Sequence, residues 1–290
     1  MKPSAVTPKP PWLKRRLPPG AGYEKTRKLI KDGLLHTVCQ EALCPNRWEC
    51  YSRQTATFLI LGPGCTRNCR FCAVDPSPQP PDPAEPARVA EAVARMNLRY
   101  AVITSVSRDD LADGGAGFFA ETIAAIRAKT PGILIEVLVP DFGGNTDALQ
   151  TVLNARPDVI NHNIETVPRL YPDVRPQADY RRSLNLLRLV KRHDEGIPTK
   201  SGMMLGLGET QDEILAALRD LRDSACDLLT LGQYLQPTKA HLPVGRYVAP
   251  EEFRRLEKTA LSMGFRRVAS GPFVRSSYHA GELYADVSVD

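Results

Sequence analysis

Apolar residues in this chain come in short runs separated by longer stretches with helical spacing. The runs Thr55–Leu61 (TATFLIL), Tyr100–Ser105 (YAVITS), Ile133–Val139 (ILIEVLV), Val159–Glu165 (VINHNIE), Lys200–Gly206 (KSGMMLG) and Leu228–Leu235 (LLTLGQYL) predict strands. Helices are expected near residues 87–96, 117–128, 145–155, 180–194 and 210–224 between them, with a short earlier one at YEKTRKLIKD. Alternating strands and helices without long hairpins imply parallel pairing with helical crossovers, hence the α/β class.

The fourth run separates the two ways of folding such units. Side chains alternate along a strand, so Asn161, Asn163 and Glu165 share one face and His162 and Ile164 the other. A central strand of a doubly wound sheet is apolar on both faces. A polar face instead suits a lumen that holds a ligand, and Glu136 and Lys200 fit the same picture. The expected fold is a partial (β/α)6 TIM-type barrel with its site at the C-terminal strand ends. Residues 1–54 form a basic arm and N-terminal extension, 55–236 the barrel, and 237–290 a C-terminal extension. That extension, with an amphipathic helix over 250–263 and a short strand, is expected not to repeat the barrel unit.

Composition changes this picture little. The 290 residues are 42% hydrophobic and 24% charged, ordinary for a soluble globular protein. No apolar stretch nears the ~20 residues of a membrane span, and the N-terminus lacks the apolar segment of a secretory signal. The net charge is +5, with Lys2, Lys9, Lys14, Arg15 and Arg16 crowded into an arm without acidic residues. Such an arm is a solvated tail or a steering patch for an acidic partner. No nucleic-acid-binding module follows it.

The cysteines change it a great deal. Six of seven fall within residues 39–72: Cys39, Cys44 and Cys50 in CQEALCPNRWEC, then Cys65, Cys69 and Cys72 in CTRNCRFC, directly after the first strand. In a reducing cytoplasm, clustered thiols point to metal or catalysis more than to disulfides. A structural zinc site takes four tetrahedral ligands, commonly from two separated knuckles. The second trio offers three thiols on one loop and no histidine at knuckle spacing. On a cuboidal [4Fe–4S] cluster, three thiolates leave one iron open to an exchangeable ligand. Cys226, by a helix end, reads as a small buried residue, His162 as a packed one, and Asp113 as a helix cap.

CTRNCRFC, with Phe71 before its last cysteine, resembles the signature of the radical S-adenosylmethionine enzymes. The first trio and RSSYHA (275–280) further resemble the lipoyl synthases, as do SRDDLADGGA, VLVPDFGG, NHNIETVPRLYPDVRP, KSGMMLGLGET and LGQYLQPT. The resemblance spans nearly the whole chain. It implies two [4Fe–4S] clusters, one held by Cys65, Cys69 and Cys72, the other an auxiliary cluster held by Cys39, Cys44, Cys50 and Ser277, with Ser276 as the other candidate. A hard serine oxygen is a poorer partner for iron than thiolate, a weak corner in a cluster that is consumed.

The resemblance also implies S-adenosylmethionine held by Asn163, Glu165, Arg175 and Lys200, with the Phe71 backbone at the adenine and Ser105 at the amino group. Asn161 and Glu136 are weaker candidates. The implied reaction inserts sulfur at C6 and C8 of an octanoyl group on a lysine of a lipoyl carrier domain or the glycine-cleavage H protein. It uses two molecules of S-adenosylmethionine and sacrifices the auxiliary cluster. A flavodoxin or ferredoxin reductant and a cluster-repair carrier are the implied partners, with neither nucleic acid nor membrane. Another radical sulfur-insertion enzyme, such as a biotin synthase or methylthiotransferase, and an iron–sulfur electron carrier or scaffold are the alternatives. Biotin synthases do not pair this trio with a C-terminal R-S-S-Y, and methylthiotransferases carry a larger N-terminal domain.

Overall fold

The computed structural model describes residues 8–14 and 20–285. Lys2, Arg15 and Arg16 of the basic arm lie outside the described residues. Eight strands form one sheet in sequence order: β1 (His36–Thr37), β2 (Thr57–Ile60), β3 (Tyr100–Ser105), β4 (Leu134–Leu138), β5 (Val159–Asn161), β6 (Thr199–Leu205), β7 (Leu228–Gln233) and β8 (Arg267–Gly271). β1 runs antiparallel to β2, and every later pair is parallel.

Before β2 come α1 (Ala21–Asp32), α2 (Val38–Glu41) and α3 (Arg47–Ser52). The crossovers hold α4 (Glu85–Arg95), α5 (Ala116–Lys129), α6 (Thr146–Asn154), α7 (Tyr171–Val174), α8 (Tyr180–His193) and α9 (Gln211–Asp223), and after β7 come α10 (Pro250–Ser262) and α11 (Ala280–Ala285). Each crossover helix turns an apolar stripe to the sheet, as in α9, where Ile214, Ala217, Leu218 and Leu221 are buried. The alternation of a partial TIM-type barrel is therefore present at all six predicted strands.

Two expectations are corrected. The chain after residue 236 does continue the unit: α10 buries Phe253, Leu256 and Ala260, and β8 then adds to the sheet parallel to β7. The fourth predicted strand stops at Asn161 rather than Glu165. Glu165 takes a left-handed conformation (φ 63°) and rejoins the sheet only through an isolated bridge to Met203. A side chain in that region breaks the pleat, so simple alternation ends there.

The chain leaves β2 through Leu61 and Gly62, both left-handed (φ 69° and 78°). This turn is held by Glu85 at the start of α4, whose buried carboxylate accepts from the Leu61 N–H at 2.6 Å. At the other end of the barrel, Leu283 and Tyr284 of α11 pack on Val159 and Leu228, the first residues of β5 and β7. A cavity of about 850 Å³ remains inside, reaching from the loops after the strands to the N-terminal ends of β2 and β3.

Helix α9 starts from Thr210 in a reciprocal capping box with Glu213. Thr210→Ala is expected to lower folding stability by about 1 kcal/mol, read as a shift of the urea midpoint with an unchanged slope.

Candidate functional site

Both cysteine trios face the one cavity. Cys65, Cys69 and Cys72 line it at the C-terminal end of β2; Cys39, Cys44, Cys50, Ser276 and Ser277 line it where β2 begins. The four residues of β2 lie between the two sets, a span of roughly 13 Å at the usual strand rise.

The CTRNCRFC loop is closed at its base by a bridge between Gly64 and Asp75, with the Cys65 N–H donating to the Asp75 carbonyl at 2.7 Å. Only glycine fits at 64, because a Cβ there would stand 1.9 Å from the Ser77 carbonyl oxygen. From that base the loop is tied to the loops after successive strands. The Thr66 N–H donates to the Ser107 carbonyl, the Arg70 N–H to the Val174 carbonyl, and the Leu242 N–H to the Arg70 carbonyl. Arg67 donates both arms of its guanidinium to Asp109 (2.7 and 2.7 Å) and also reaches Asp141 at 2.6 Å. Burial works against a charged Asp141, but Arg67 more than offsets it and holds that carboxyl down at about 2. His241 lies 2.9 Å from the Cys72 carbonyl through Nε2.

The first trio, Cys39, Cys44 and Cys50, is built on α2, α3 and the turn between them, which α1 braces from behind. Tyr23 stacks on Trp48 at 3.9 Å between centroids, and Thr37 Oγ1 lies 2.8 Å from the Tyr51 hydroxyl. The C-terminal tail crosses in front. Asn46 Nδ2 donates to the Phe273 carbonyl at 2.6 Å, Thr57 Oγ1 donates to Ser277 Oγ at 2.8 Å, and the Tyr278 hydroxyl donates to Glu49 at 2.9 Å. The Thr57 N–H also hydrogen-bonds the Cys39 thiol. One threonine thus links the first trio to a serine 220 positions away.

Burial raises the thiols. Cys39 is pushed up to about 12 by desolvation and by its neighbours Cys44 and Cys50, and Cys50 and Cys72 reach about 12 for the same first reason. Cys69 is raised as well, desolvation outweighing the opposing pull of Arg175. Thiols in such surroundings become thiolates when a metal centre supplies the compensating charge.

Among the remaining expected residues, Phe71, Ser105, Asn163, Glu165 and Arg175 all line the cavity. Asn163 Nδ2 donates to Glu165 at 3.0 Å, and Arg175 donates to the Asn163 carbonyl at 2.9 Å. Three buried atoms here have no protein partner: Ser105 Oγ, Asn163 Oδ1 and Arg175 Nε. Unpaired buried polar atoms are costly and few, and these three converge on one cavity. Glu165 is raised by burial, against the lowering influence of Arg175 and Asn163.

Comparison with known proteins is decisive about kinship. Residues 59–221 match the Radical SAM superfamily model, and residues 4–44 match the N-terminal domain of lipoyl synthase of the Radical SAM family. The lipoyl synthase of Desulfotalea psychrophila is 63% identical over 277 residues, covering 95% of this chain and 93% of that protein. The lipoyl synthase of Chlorobaculum parvum is 59% identical over 274 residues, 94% of each chain. The chain belongs to the lipoyl synthase family. A likeness of fold extends to the crystal structure of methylornithine synthase, at TM-score 0.55 and 14% identity, covering 86% of this chain and 75% of that one.

Lipoyl synthases are radical S-adenosylmethionine sulfurtransferases that use [4Fe–4S] clusters, and the residues present fit those groups. All six cysteines of the two trios are free thiols, and the orphaned atoms of Ser105, Asn163 and Arg175 offer a hydroxyl, an acceptor and a cationic donor to a polar ligand.

Lys200 is a correction. It does not line the cavity but sits buried, donating to both oxygens of Glu136 at 2.9 and 3.0 Å. Asn161 and Tyr100 donate to the same carboxylate at 2.8 and 2.7 Å. Lys200, Glu136 and Asn161 therefore close a polar network within the sheet, since a buried carboxylate requires its counter-charge close by. His162 is packed as expected: buried and bonded to the Val139 carbonyl and Ser183, it is pushed down to about 4, first by desolvation. Cys226 is buried too, its thiol raised to about 12 by desolvation. Asp113 accepts from the N–H groups of Gly115 and Gly117 at the start of α5.

Sequence reasoning missed the residues that hold the loops. Arg67 lies inside the quoted motif, but its partners Asp109 and Asp141 follow different strands. Nothing in the local sequence marks Thr57 or His241. Lys200→Met is expected to destabilise the fold by about 3–5 kcal/mol, because Glu136 would be left without its cation. S-adenosylmethionine binding by the folded fraction should be unchanged. Urea titration and equilibrium binding check this; lost affinity at unchanged stability would restore the cofactor role.

Proposed function

We propose that this protein inserts two sulfur atoms, at C6 and C8, into an octanoyl group amide-linked to a lysine of a carrier domain. The observation that supports this best is the opening of two thiol trios on one cavity from opposite ends of β2. When bound, a cluster on Cys65, Cys69 and Cys72 with S-adenosylmethionine supplies radical-generating chemistry, and a cluster on Cys39, Cys44, Cys50 and Ser277 supplies sulfur. The extension before β2 and the tail after β8 together build the sulfur-donating end of the barrel.

The chain's own contribution is placement and exclusion. Arg175 is a fork suited to a carboxylate, and Asn163, Glu165, Ser105 and Phe71 line the same cavity. Leu59, Val102, Leu138, Met203 and Met204 give the lumen between the trios an apolar wall. Such a wall suits an alkyl chain and keeps water from reactive carbon centres. Fixing that chain between the two trios confers the orientation advantage of an intramolecular reaction.

Carrier domains of lipoyl-dependent complexes or the glycine-cleavage H protein, a flavodoxin or ferredoxin reductant, a cluster-repair carrier and a cytoplasmic location complete the reading. Among the described residues no helix is long and apolar enough to cross a membrane.

Replacing Cys65, Cys69 or Cys72 by alanine is expected to abolish S-adenosylmethionine cleavage. Replacing Cys39, Cys44 or Cys50 should preserve cleavage, abolish sulfur insertion, and lower iron from about eight to about four atoms per chain. The assay is anaerobic, with dithionite and an octanoylated lysyl peptide, read by mass; lipoyl product from the second group would reject the sulfur-donor assignment. Lys9 lines the cavity, and deleting residues 1–16 should lower kcat/KM for an acidic carrier at low salt, with the difference shrinking as salt rises.

A further inference from the structure

We infer that Thr57 is a positioning residue for the auxiliary cluster: its hydroxyl fixes the oxygen of Ser277 at the corner left open by Cys39, Cys44 and Cys50. This rests on the reading of Ser277 as that cluster's fourth ligand.

Thr57 is the first residue of β2 and is buried. Its backbone is held in the sheet, paired to Val102 of β3. Its two polar groups diverge to the two halves of the proposed ligand set: the N–H to the Cys39 thiol, the hydroxyl to Ser277 Oγ at 2.8 Å. Ser277, by contrast, sits in a tail without strand or helix between β8 and α11. A ligand on such a segment keeps its position only through the contacts that the segment makes.

The side-chain tethers of that stretch differ in what they constrain. Asn46 holds the Phe273 carbonyl and Glu49 holds the Tyr278 hydroxyl. Thr57 is the tether that touches the Ser277 oxygen itself. As donor in that bond, Thr57 leaves the oxygen's remaining lone pair free for a metal. Donation to an oxygen carrying negative charge is also the stronger kind of hydrogen bond. Ordering the serine within the folded protein removes that cost from the moment of ligation. Serine is the least thiophilic corner of an iron–sulfur cluster, so it is the corner where such pre-ordering matters most.

The test compares the full-length parent with Thr57→Val, Thr57→Ser and Ser277→Ala, each reconstituted anaerobically. Valine keeps the branched shape and the backbone N–H to Cys39 while removing the hydroxyl. The readout is the rate at which iron is lost to a chelator, followed with the electron paramagnetic resonance spectrum of the reduced protein. S-adenosylmethionine cleavage without octanoyl substrate serves as the control for the other cluster.

In Thr57→Val, half of the iron should leave on the order of tenfold faster than in the parent, the effect of one hydrogen bond to a charged oxygen. Its spectrum should shift towards that of Ser277→Ala, cleavage should be unchanged, and Thr57→Ser should behave as the parent. Parent-like iron loss in Thr57→Val beside rapid loss in Ser277→Ala would overturn the role of Thr57 alone. Equal lability of Thr57→Ser and Thr57→Val would assign the effect to packing of the methyl group and overturn it too. A Ser277→Ala variant indistinguishable from the parent in both readouts would remove the fourth-ligand reading and this inference with it.

Discussion

The fixed length of one short strand governs the arrangement of this protein. Four residues of β2 separate the loop that carries one thiol trio from the point where the other trio and the C-terminal tail converge. A strand paired on both sides neither stretches nor bends appreciably, so the distance across the lumen is set by the backbone and not by side-chain rotamers. Any reaction that must reach from one trio to the other depends on that separation.

The two ends of this ruler are secured by different physical means. The CTRNCRFC loop is held by backbone hydrogen bonds and by the buried Arg67–Asp141 pair, which the exposed Asp109 extends to the surface. The other trio rests on a small aromatic platform, Tyr23, Trp48 and Tyr51, and is completed by a tail joined through a few single hydrogen bonds. One end is thus cross-linked to several strand-end loops, and the other is assembled from the two chain termini.

Electrostatics follows the same division. Burial raises Cys39 and Cys50 in one trio and Cys69 and Cys72 in the other, while Arg175 stands near Cys69 and Glu165. The ion pair of Lys200 and Glu136 lies apart from both ends within the sheet. Its charges are spent on each other, with Tyr100 and Asn161 filling the remaining acceptor positions. Polar character on a lumen face therefore has two settings here, groups with orphaned atoms at the strand ends and an ion-paired network deeper in the sheet.

Much of this was legible in one dimension because it is encoded locally. The alternation of apolar runs and helical stretches marks the parallel barrel, and the cysteine spacings together with RSSY mark the chemistry, since thiols on one loop are close wherever that loop goes. A short strand after the last long helix was legible, but that it continues the barrel as β8 was not, because nothing local shows that β7 offers it an edge. Nor was the end of the fourth strand at Asn161, where a left-handed Glu165 interrupts the alternation. Lys200 illustrates the limit best: its residue type and strand position suited a ligand contact, but only the fold decides that Glu136, 64 residues earlier, claims both of its strongest bonds. By itself the sequence determined which groups exist and which share a loop or a strand. The tertiary structure decided which of them meet, because contacts such as Thr57 with Ser277 depend on chain closure over distances that no local pattern records.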